Sequence, residues 1–435
     1  MLSFSNKKLS TESYKGVRDF YPADQAVQNY IFSTMRKAVE AWGYVEYGAS
    51  VLEPSELYKS KTSEEIVNEQ TYSFTDRGGR EVTLRPEMTP TVARMIAQRL
   101  TELPSPIRWY SIPNVFRYEK PQKGRLREHW QLNVDLFGVA GLFADAEIIS
   151  VADAIMQKFG AARDTYKILL NSRLLLDDVL SAAEISLDDK LEVCRVLDRK
   201  EKMSAADFKN ELEKLVGEEK GKKLIEFLYF GEALLTMLPE SEEAKNISKI
   251  IDTLRARGIT NVVYTPTLTR GFDYYTGTVF EVFDVSPENN RSLFGGGRYD
   301  GLVSAFRKEN VPAIGFGMGD VTIRDFLETH KLMPLLESKT DVWIAPAPNT
   351  PLEEVYKFAD VLRSKQVNVG VDISGRKIGD MIQGAEKRSI PLLIVIGEEE
   401  LKTKQYKVRR LKDRVEKEAR PDNIVQVIND LKSGN

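Results

Sequence analysis

The chain contains a single cysteine, Cys194, and only two histidines, His129 and His330. One thiol excludes an intramolecular disulfide and any zinc site built from several cysteines, and two histidines make a histidine-cluster metal site improbable. Magnesium chemistry survives these exclusions, because carboxylates and substrate phosphates can carry that ion. No run approaches the ~20 apolar residues of a membrane span. The opening segment, MLSFSNKKLSTESYKG, has no apolar core of signal-peptide length. No membrane partner is expected, and the cytoplasm is the expected compartment. An excess of one charge is also missing: 62 Lys and Arg stand against 65 Asp and Glu, for a net charge of −3. No global field attracts nucleic acid, so any RNA or phosphate site must be a local basic surface.

What is present fits a multidomain globular protein. A length of 435 residues calls for more than one domain, at roughly 100–200 residues each. Hydrophobic residues at 42% and charged residues at 29% are ordinary for such a chain. Apolar residues four apart (Ile31, Met35, Val39) predict a helix from about Asp24 to Trp42, stopped by Gly43. Asp76 to Gly79 reads as a turn between two short strands, and Thr89-Pro90 opens a helix. Glu87 and Thr89, just before that helix, can either cap it or offer a carboxylate to a ligand amine.

The most informative stretch is Val115–Gly138, VFRYEKPQKGRLREHWQLNVDLFG, two strands joined by a basic turn. Period-2 alternation sets Leu126, Trp130, Leu132, Val134 and Leu136 on one face, against Arg127, His129, Gln131, Asn133 and Asp135 on the other. An apolar face alone suggests a sheet with its polar side in water. The mixture of arginines, carboxylates and an amide, with Arg117 and Glu119 on the first strand, also suits a zwitterionic or phosphorylated ligand.

Asp145 to Phe159 continues as a helix, and TYKILLNSR reads as a strand at a sheet edge. Between about 174 and 257 the only proline is Pro239, and charged and apolar residues alternate at helical spacing, which predicts an all-helical insertion. Its lysines suit a solvated surface. NVVYTPTLTRGFDYYTGTVFEVFD then returns to β-branched and aromatic residues typical of a buried sheet, with Tyr274 and Tyr275 on opposite faces of a strand. The glycines at 295–297, 315, 317 and 319 allow close backbone approach, for which strand-on-helix packing is the simple reason. After a linker at 334–340, three apolar strands alternate with helices at 351–365 and 376–388, the pattern of a small α/β domain. KTKQYKVRRLKDRVEKEAR adds a basic hairpin and helix, a solvated face or an RNA-contacting edge.

These residues carry a resemblance. FRYEKPQKGR, with the glutamine and aspartate that follow, resembles motif 2 of class II aminoacyl-tRNA synthetases. RGFDYYTGTVFE and GGGRYDGL resemble the histidine-binding segments of the histidyl-tRNA synthetase family. LRPEMT and AIGFGMG follow the order of that family, and the last domain resembles its anticodon-binding domain. The similarity runs from KGVRDFYP to the C-terminus. It implies an α+β fold: a class II antiparallel sheet with flanking helices, in two parts (1–173 and 258–333) around the helical insertion (174–257), then an α/β anticodon-binding domain (340–435).

It also implies histidine–tRNA ligase activity with ATP and Mg2+, no tightly bound organic cofactor, no metal site made by protein alone, tRNA-His as partner, and a homodimer. Arg117 would hold the α-phosphate and the amino-acid carboxylate, with Arg270 opposite it. Glu87 and Thr89 would take the amino group, supported by Gln131, with Met88 between them also in the amino-acid site. Asp135, Tyr274 and Tyr275 would line the imidazole pocket and Tyr299 would close it. Glu119, Arg125 and Arg127, in and around the basic turn, would place ATP. Departures from the family pattern are Ser50 for a proline, EHWQ for an aromatic–histidine order, and Gly319-Asp320-Val321-Thr322 where most members have Glu-Arg. Arg324, two residues further on, falls on the wrong helix face. The alternatives are a non-catalytic regulatory subunit of ATP phosphoribosyltransferase, and a class II synthetase for threonine, proline or glycine.

Overall fold

The computed structural model describes residues 9–59, 70–122, 124–200, 203–268 and 274–433, and the chain divides into two compact units that meet at Met333 and Pro334. In the first unit, helix α1 (Pro22–Glu40) starts on a proline, which needs no hydrogen-bond partner for a missing N–H. Strand β1 (Val45–Glu46), strand β2 (Leu52–Pro54), helix α2 (Glu56–Lys59) and the hairpin β3 (Tyr72–Thr75)–β4 (Glu81–Leu84) follow. The hairpin turn is closed by the Asp76 carboxylate, which accepts the N–H groups of Gly78 (2.8 Å) and Arg80 (2.9 Å). Next come α3 (Thr89–Arg99), β5 (Ile107–Ser111), β6 (Asn114–Phe116), β7 (Glu128–Phe137), α4 (Leu142–Lys158) and β8 (Tyr166–Ser172).

Between residues 173 and 256 the described elements are helical, as the periodicity predicts: α5 (Arg173–Ala182), α6 (Lys190–Arg199), α7 (Ala205–Val216), α8 (Glu218–Tyr229), α9 (Ala233–Met237) and α10 (Glu242–Ala256). Ser172, Ser204 and Ser241 cap α5, α7 and α10 by accepting backbone N–H groups of the first turn. The chain returns to sheet with β9 (Val262–Tyr264), β10 (Thr278–Asp284), β11 (Arg291–Arg298) and β12 (Ala313–Gly319), and ends the unit with α11 (Asp320–Thr329).

The main sheet has the order β1-β5-β7-β12-β11-β10-β8-β9, with β6 also paired to β7. Every pairing from β5 across to β8 is antiparallel, and the outermost pairs, β1 with β5 and β8 with β9, are parallel. Two sequence expectations change here. Tyr166–Ser172 is not the edge, because β9 lies outside it. The Val115–Gly138 stretch is not a free hairpin, because β5 and β12 flank its second strand.

β7 is thus internal to the sheet, and layers packed on the two sides of the sheet bury both its faces from Leu132 to Phe137. Leu132, Val134 and Leu136 join Ile31 and Met35 of α1, Ile148 and Ile149 of α4 and Ile250 and Leu254 of α10 in one apolar core. The opposite face carries Asn133, Asp135 and Phe137, exposed by only 4%, 3% and 0%. A second cluster, including Val92 and Ile96 of α3 with Tyr299, covers Phe137. A polar strand face hidden from water must find its partners inside the protein.

The second unit holds β13 (Val342–Pro346), α12 (Leu352–Ser364), β14 (Val369–Val371), α13 (Ile378–Lys387), β15 (Leu392–Ile396), α14 (Glu398–Thr403), β16 (Tyr406–Arg410), β17 (Glu416–Ala419) and α15 (Ile424–Ser433). Its sheet runs β14-β13-β15-β16-β17, parallel in the first two pairings and antiparallel in the last two. Val342, Ile344, Leu392 and Ile394 pack against Leu362 of α12 and Ile428 of α15. Arg409 and Arg410 of the basic hairpin are paired with Glu416 and Asp413.

Leu136 sits at the centre of the first unit with 1% of its surface exposed. Leu136→Ala should therefore cost about 2–5 kcal/mol in urea unfolding followed by tryptophan fluorescence. A loss below about 1 kcal/mol would contradict this account of the core.

Candidate active site

A cavity of about 210 Å³ opens on the polar face of β7. Its floor depends on glycines. A Cβ at Gly315 would lie 2.4 Å from Asp135 Oδ1 and 3.1 Å from the Tyr299 hydroxyl, and one at Gly317 would lie 2.5 Å from Gln131 Nε2. These two positions on β12 are vacated for side chains of β7 and its neighbours, which corrects the simple packing reason given to the glycine run.

One end of the cavity is aromatic. Tyr274, Tyr275 and Tyr299 all line it. Tyr274 meets Tyr275 and Tyr299 edge-on, with ring centroids 5.1 Å and 5.9 Å apart. The two adjacent tyrosines do not lie on opposite faces of a strand. They precede β10 in a turn, and irregular backbone lets both rings face the same space. Behind them the Tyr299 hydroxyl donates to Asp135 Oδ1. Burial pushes the Asp135 carboxyl up to about 7, with the Tyr299 bond acting in the opposite direction. Tyr299 is fixed by its sequence neighbours. Arg298 is buried against Asp145 (3.0 Å) and the carbonyls of Val139 and Gly141, and Asp300 accepts the Ala313 N–H at 2.9 Å.

Beside these rings, Glu87 is 2% exposed and its Oε2 accepts the Tyr274 hydroxyl at 2.9 Å. Burial first, then the Glu87 charge, hold that hydroxyl well above its ordinary pKa. Capping does not occupy Glu87 or Thr89, since α3 has Met88 at its N-cap and no side-chain cap bond. Met88 is fully buried and does not line the cavity, unlike Glu87 and Thr89. Arg117 and Gln131 also line the cavity. Arg117 is aimed by its Nε, which donates to the Pro86 carbonyl at 2.9 Å.

The basic turn is tethered at its base. Glu119 sits 3.5 Å from Arg125 and 4.0 Å from Arg117. Arg125 is two-thirds exposed, open to a ligand's phosphates. Arg127 is differently engaged: it donates to the Tyr14 hydroxyl (3.0 Å) and the Glu119 carbonyl (3.2 Å), and stacks 4.1 Å over the Tyr118 ring. It does not line the cavity, and its observed role is to anchor the turn. Arg270 lies outside the described residues, as does Lys123.

Beyond the turn, Asp320 is buried and accepts from Arg18 Nη2 (2.7 Å), Gln28 Nε2 (2.7 Å) and the Trp130 N–H (3.0 Å). It ties the N-terminal segment to α11. Thr322 donates to the Leu293 carbonyl, and Arg324 is bound to Asp24 and Glu328, away from the cavity as its helix position predicts. His129 is held down to about 3 by burial and the nearby Arg117 and Arg18, so it is neutral at any physiological pH. Sequence reasoning did not single out Asn133, Phe280, Glu281 or Phe316, which also line the cavity. Asn133 had a signal, its place in the alternation between Gln131 and Asp135. Glu281 had only the oddity of a carboxylate inside VFEVF.

A carboxylate bonded to a tyrosine, a fixed guanidinium, and a ring-lined recess over a hydroxyl-bonded carboxyl suit a zwitterion with a polar aromatic side chain. Carried on an antiparallel sheet beside a basic turn, with a separate α/β unit after it, this arrangement is that of a class II aminoacyl-tRNA synthetase. The histidyl-tRNA synthetase family model matches residues 16–321, and an anticodon-binding domain model matches 341–431. A histidine–tRNA ligase from Leptospira biflexa serovar Patoc is 42% identical over 414 residues, covering 94% of this chain and 95% of that relative. One from Thermoplasma volcanium is 37% identical, covering 93% and 95%. The crystal structure of histidyl-tRNA synthetase from Nostoc sp. PCC 7120 shares the fold with a TM-score of 0.82 at 23% identity, over 97% of this chain and 99% of that one. The chain belongs to the histidyl-tRNA synthetase family.

Asp135 generates a pH prediction. Its folded pKa lies above that of an unfolded aspartate, so between about pH 4 and 7 the folded protein holds a proton that the unfolded chain releases. Stability from this group is therefore present at low pH and lost as pH rises through that window. In denaturant unfolding at pH 5 and pH 8, wild type should lose stability relative to Asp135→Asn, by on the order of a few kcal/mol. Parallel pH dependence of the two proteins would contradict the burial of this carboxyl.

Proposed function

We propose that the cavity activates histidine with ATP to histidyl-adenylate, and that the histidyl group then passes to the terminal ribose of tRNA-His. As a member of its family the chain is an aminoacyl-tRNA ligase. The observation that carries the histidine reading is that two of the cavity's tyrosines each bond a buried carboxyl group, Tyr274 that of Glu87 and Tyr299 that of Asp135. Glu87 and Thr89 take the α-amino group, with Gln131 supporting it. Tyr274, Tyr275 and Tyr299 enclose the imidazole, and Asp135 accepts its ring N–H. A site built to bond a polar ring rejects an isostere that lacks the donor, since a buried acceptor would then be left unpaired.

Arg117 lies where the histidine carboxylate and the ATP α-phosphate come together. A carboxylate oxygen attacks the α-phosphorus, the new O–P bond forms as the bond to the bridging oxygen of the β-phosphate breaks, and pyrophosphate leaves with that electron pair. Two anions approach in this step, so a fixed guanidinium lowers the barrier by meeting the charge that develops. Arg270, four residues before Tyr274 in RGFDYYTG, is assigned the opposite side of the α-phosphate on family resemblance. Glu119 and Arg125 place the adenine and outer phosphates, and Arg127 keeps their turn in position. Among the described residues no group of three or more His, Cys, Asp or Glu side chains is gathered to hold a metal. Magnesium would therefore enter on the ATP phosphates and contribute by neutralising their charge.

The unit from Pro334 onward is assigned to the anticodon of tRNA-His. Homodimerisation is proposed with it: the edge strand β1 exposes Val45 by 63%, and Leu52 of β2 is also exposed, an apolar margin suited to burial against a second copy. A cytoplasmic location follows from a role in protein synthesis. A regulatory-subunit reading is disfavoured by the anticodon-domain match at 341–431.

Pyrophosphate exchange into ATP, run with each amino acid in turn, tests the assignment. Histidine alone should support exchange; exchange with none, or with a different amino acid, would sink it. Arg117→Ala should lower the exchange rate about 10²–10³-fold, and Glu87→Gln should raise KM for histidine about tenfold or more while leaving KM for ATP near its wild-type value.

A further inference from the structure

The guanidinium of Arg291, the first residue of β11, lies against the tip of the basic turn. A Cβ at Gly124 would sit 2.8 Å from Arg291 Cζ, and Nη1 is the guanidinium nitrogen nearest to it. Gly124 also has a φ of +78°, so space and backbone both call for glycine there. The tip itself is tight: the Gln122 N–H donates to the Arg125 carbonyl (3.0 Å) and the Arg125 N–H to the Gln122 carbonyl (2.9 Å). Nη1 thus faces the residue that precedes Arg125, the exposed cation of the turn. On its other edge, Arg291 Nη2 donates to Asp325 of α11.

The same junction is where α11 meets β11. Thr322, three residues before Asp325 and on the same side of the helix, donates to the Leu293 carbonyl at 2.7 Å. Ser292, the neighbour of Arg291, donates to Glu281 of the cavity lining at 2.5 Å. Positions 320–322, where most family members have Glu-Arg, hold no cation here. Asp320 is bound to Arg18 and Gln28, and Arg324 is bound to Asp24 and Glu328. Arg291 brings a guanidinium from β11 to the junction that the first turn of α11 leaves without one.

Resting on the ATP reading above, we propose that Arg291 is an ATP-binding residue that meets the outer phosphates together with Arg125. Arginine carries five N–H donors in a planar fork, so one edge can be held by a carboxylate while another meets a phosphate. Asp325 fixes the direction of the fork, and Gly124 lets the turn close down upon it. The side chain is 24% exposed, so solvent and salt screen its charge less than that of Arg125, which is 66% exposed. The chain has no overall positive field to attract a triphosphate, and a local guanidinium of this kind supplies one.

Calorimetric affinities of the full-length protein for ATP, for histidine and for a non-hydrolysable sulfamoyl analogue of histidyl-adenylate test the assignment. The analogue carries no outer phosphates. Arg291→Met should bind ATP about 10–100-fold more weakly, with histidine and the analogue near their wild-type affinities. Arg291→Lys keeps the charge and loses the fork, and its ATP affinity should fall between the two. A variant that loses the analogue as much as ATP would show that Arg291 only props up the turn, and that result overturns the proposal. Unchanged ATP affinity would overturn it as well, and Arg291→Lys decides in the same terms if Arg291→Met does not fold. Wild type that binds neither ATP nor the analogue would overturn the proposal and the ligase reading together.

Discussion

The bond between the Tyr299 hydroxyl and Asp135 is the constraint on which the site depends. A carboxyl group in a recess of aromatic rings is unfavourable unless something inside the protein bonds it. The surroundings are arranged accordingly. Gly315 leaves room for the carboxyl, Arg298 and Asp300 lock the residue between them, and three tyrosines line the cavity in front of it. What results is a buried carboxyl just behind the cavity lining, held by the Tyr299 hydroxyl, which itself lines the cavity.

A second feature is the division of labour among the cations around the cavity. Arg127 and Arg18 are committed to internal partners, Tyr14 and Asp320, and hold the basic turn and the N-terminal segment in place. Arg324 is committed to Asp24 and Glu328. Arg117 lines the cavity and Arg125 lies open on the turn. A strand face that alternates charge and amide is not a surface here: from Asn133 to Phe137 it is buried, with the cluster of α3 and Tyr299 packed on Phe137.

Periodicity made much of the architecture legible. The four-residue spacing of Ile31, Met35 and Val39, the proline-poor helical insertion, and the apolar strands after Pro334 all correspond to observed elements. The polar alternation of β7 pointed to the cavity wall. What failed had physical causes. Tyr166–Ser172 looked like an edge because the NVVY segment reads as strand without showing that it pairs outside β8, a tertiary property. Tyr274 and Tyr275 were placed on opposite faces because a turn and a strand look alike in a row of aromatic and threonine residues. Arg127 could not be separated from Arg125 by sequence, since its tyrosine partner at position 14 is more than a hundred residues away in the chain. The glycines of β12 gave no sign of which side chains they clear, because register across a sheet is a tertiary property.

The central claim is that Asp135 reads the imidazole. It is tested most directly by titrating L-histidine, in a calorimeter at pH 8, into wild type and into Asp135→Asn. The account predicts that the variant, still folded, binds histidine at least about tenfold more weakly, because a charged acceptor is replaced by a neutral amide. Equal affinity in the two proteins would show that the ring is recognised elsewhere.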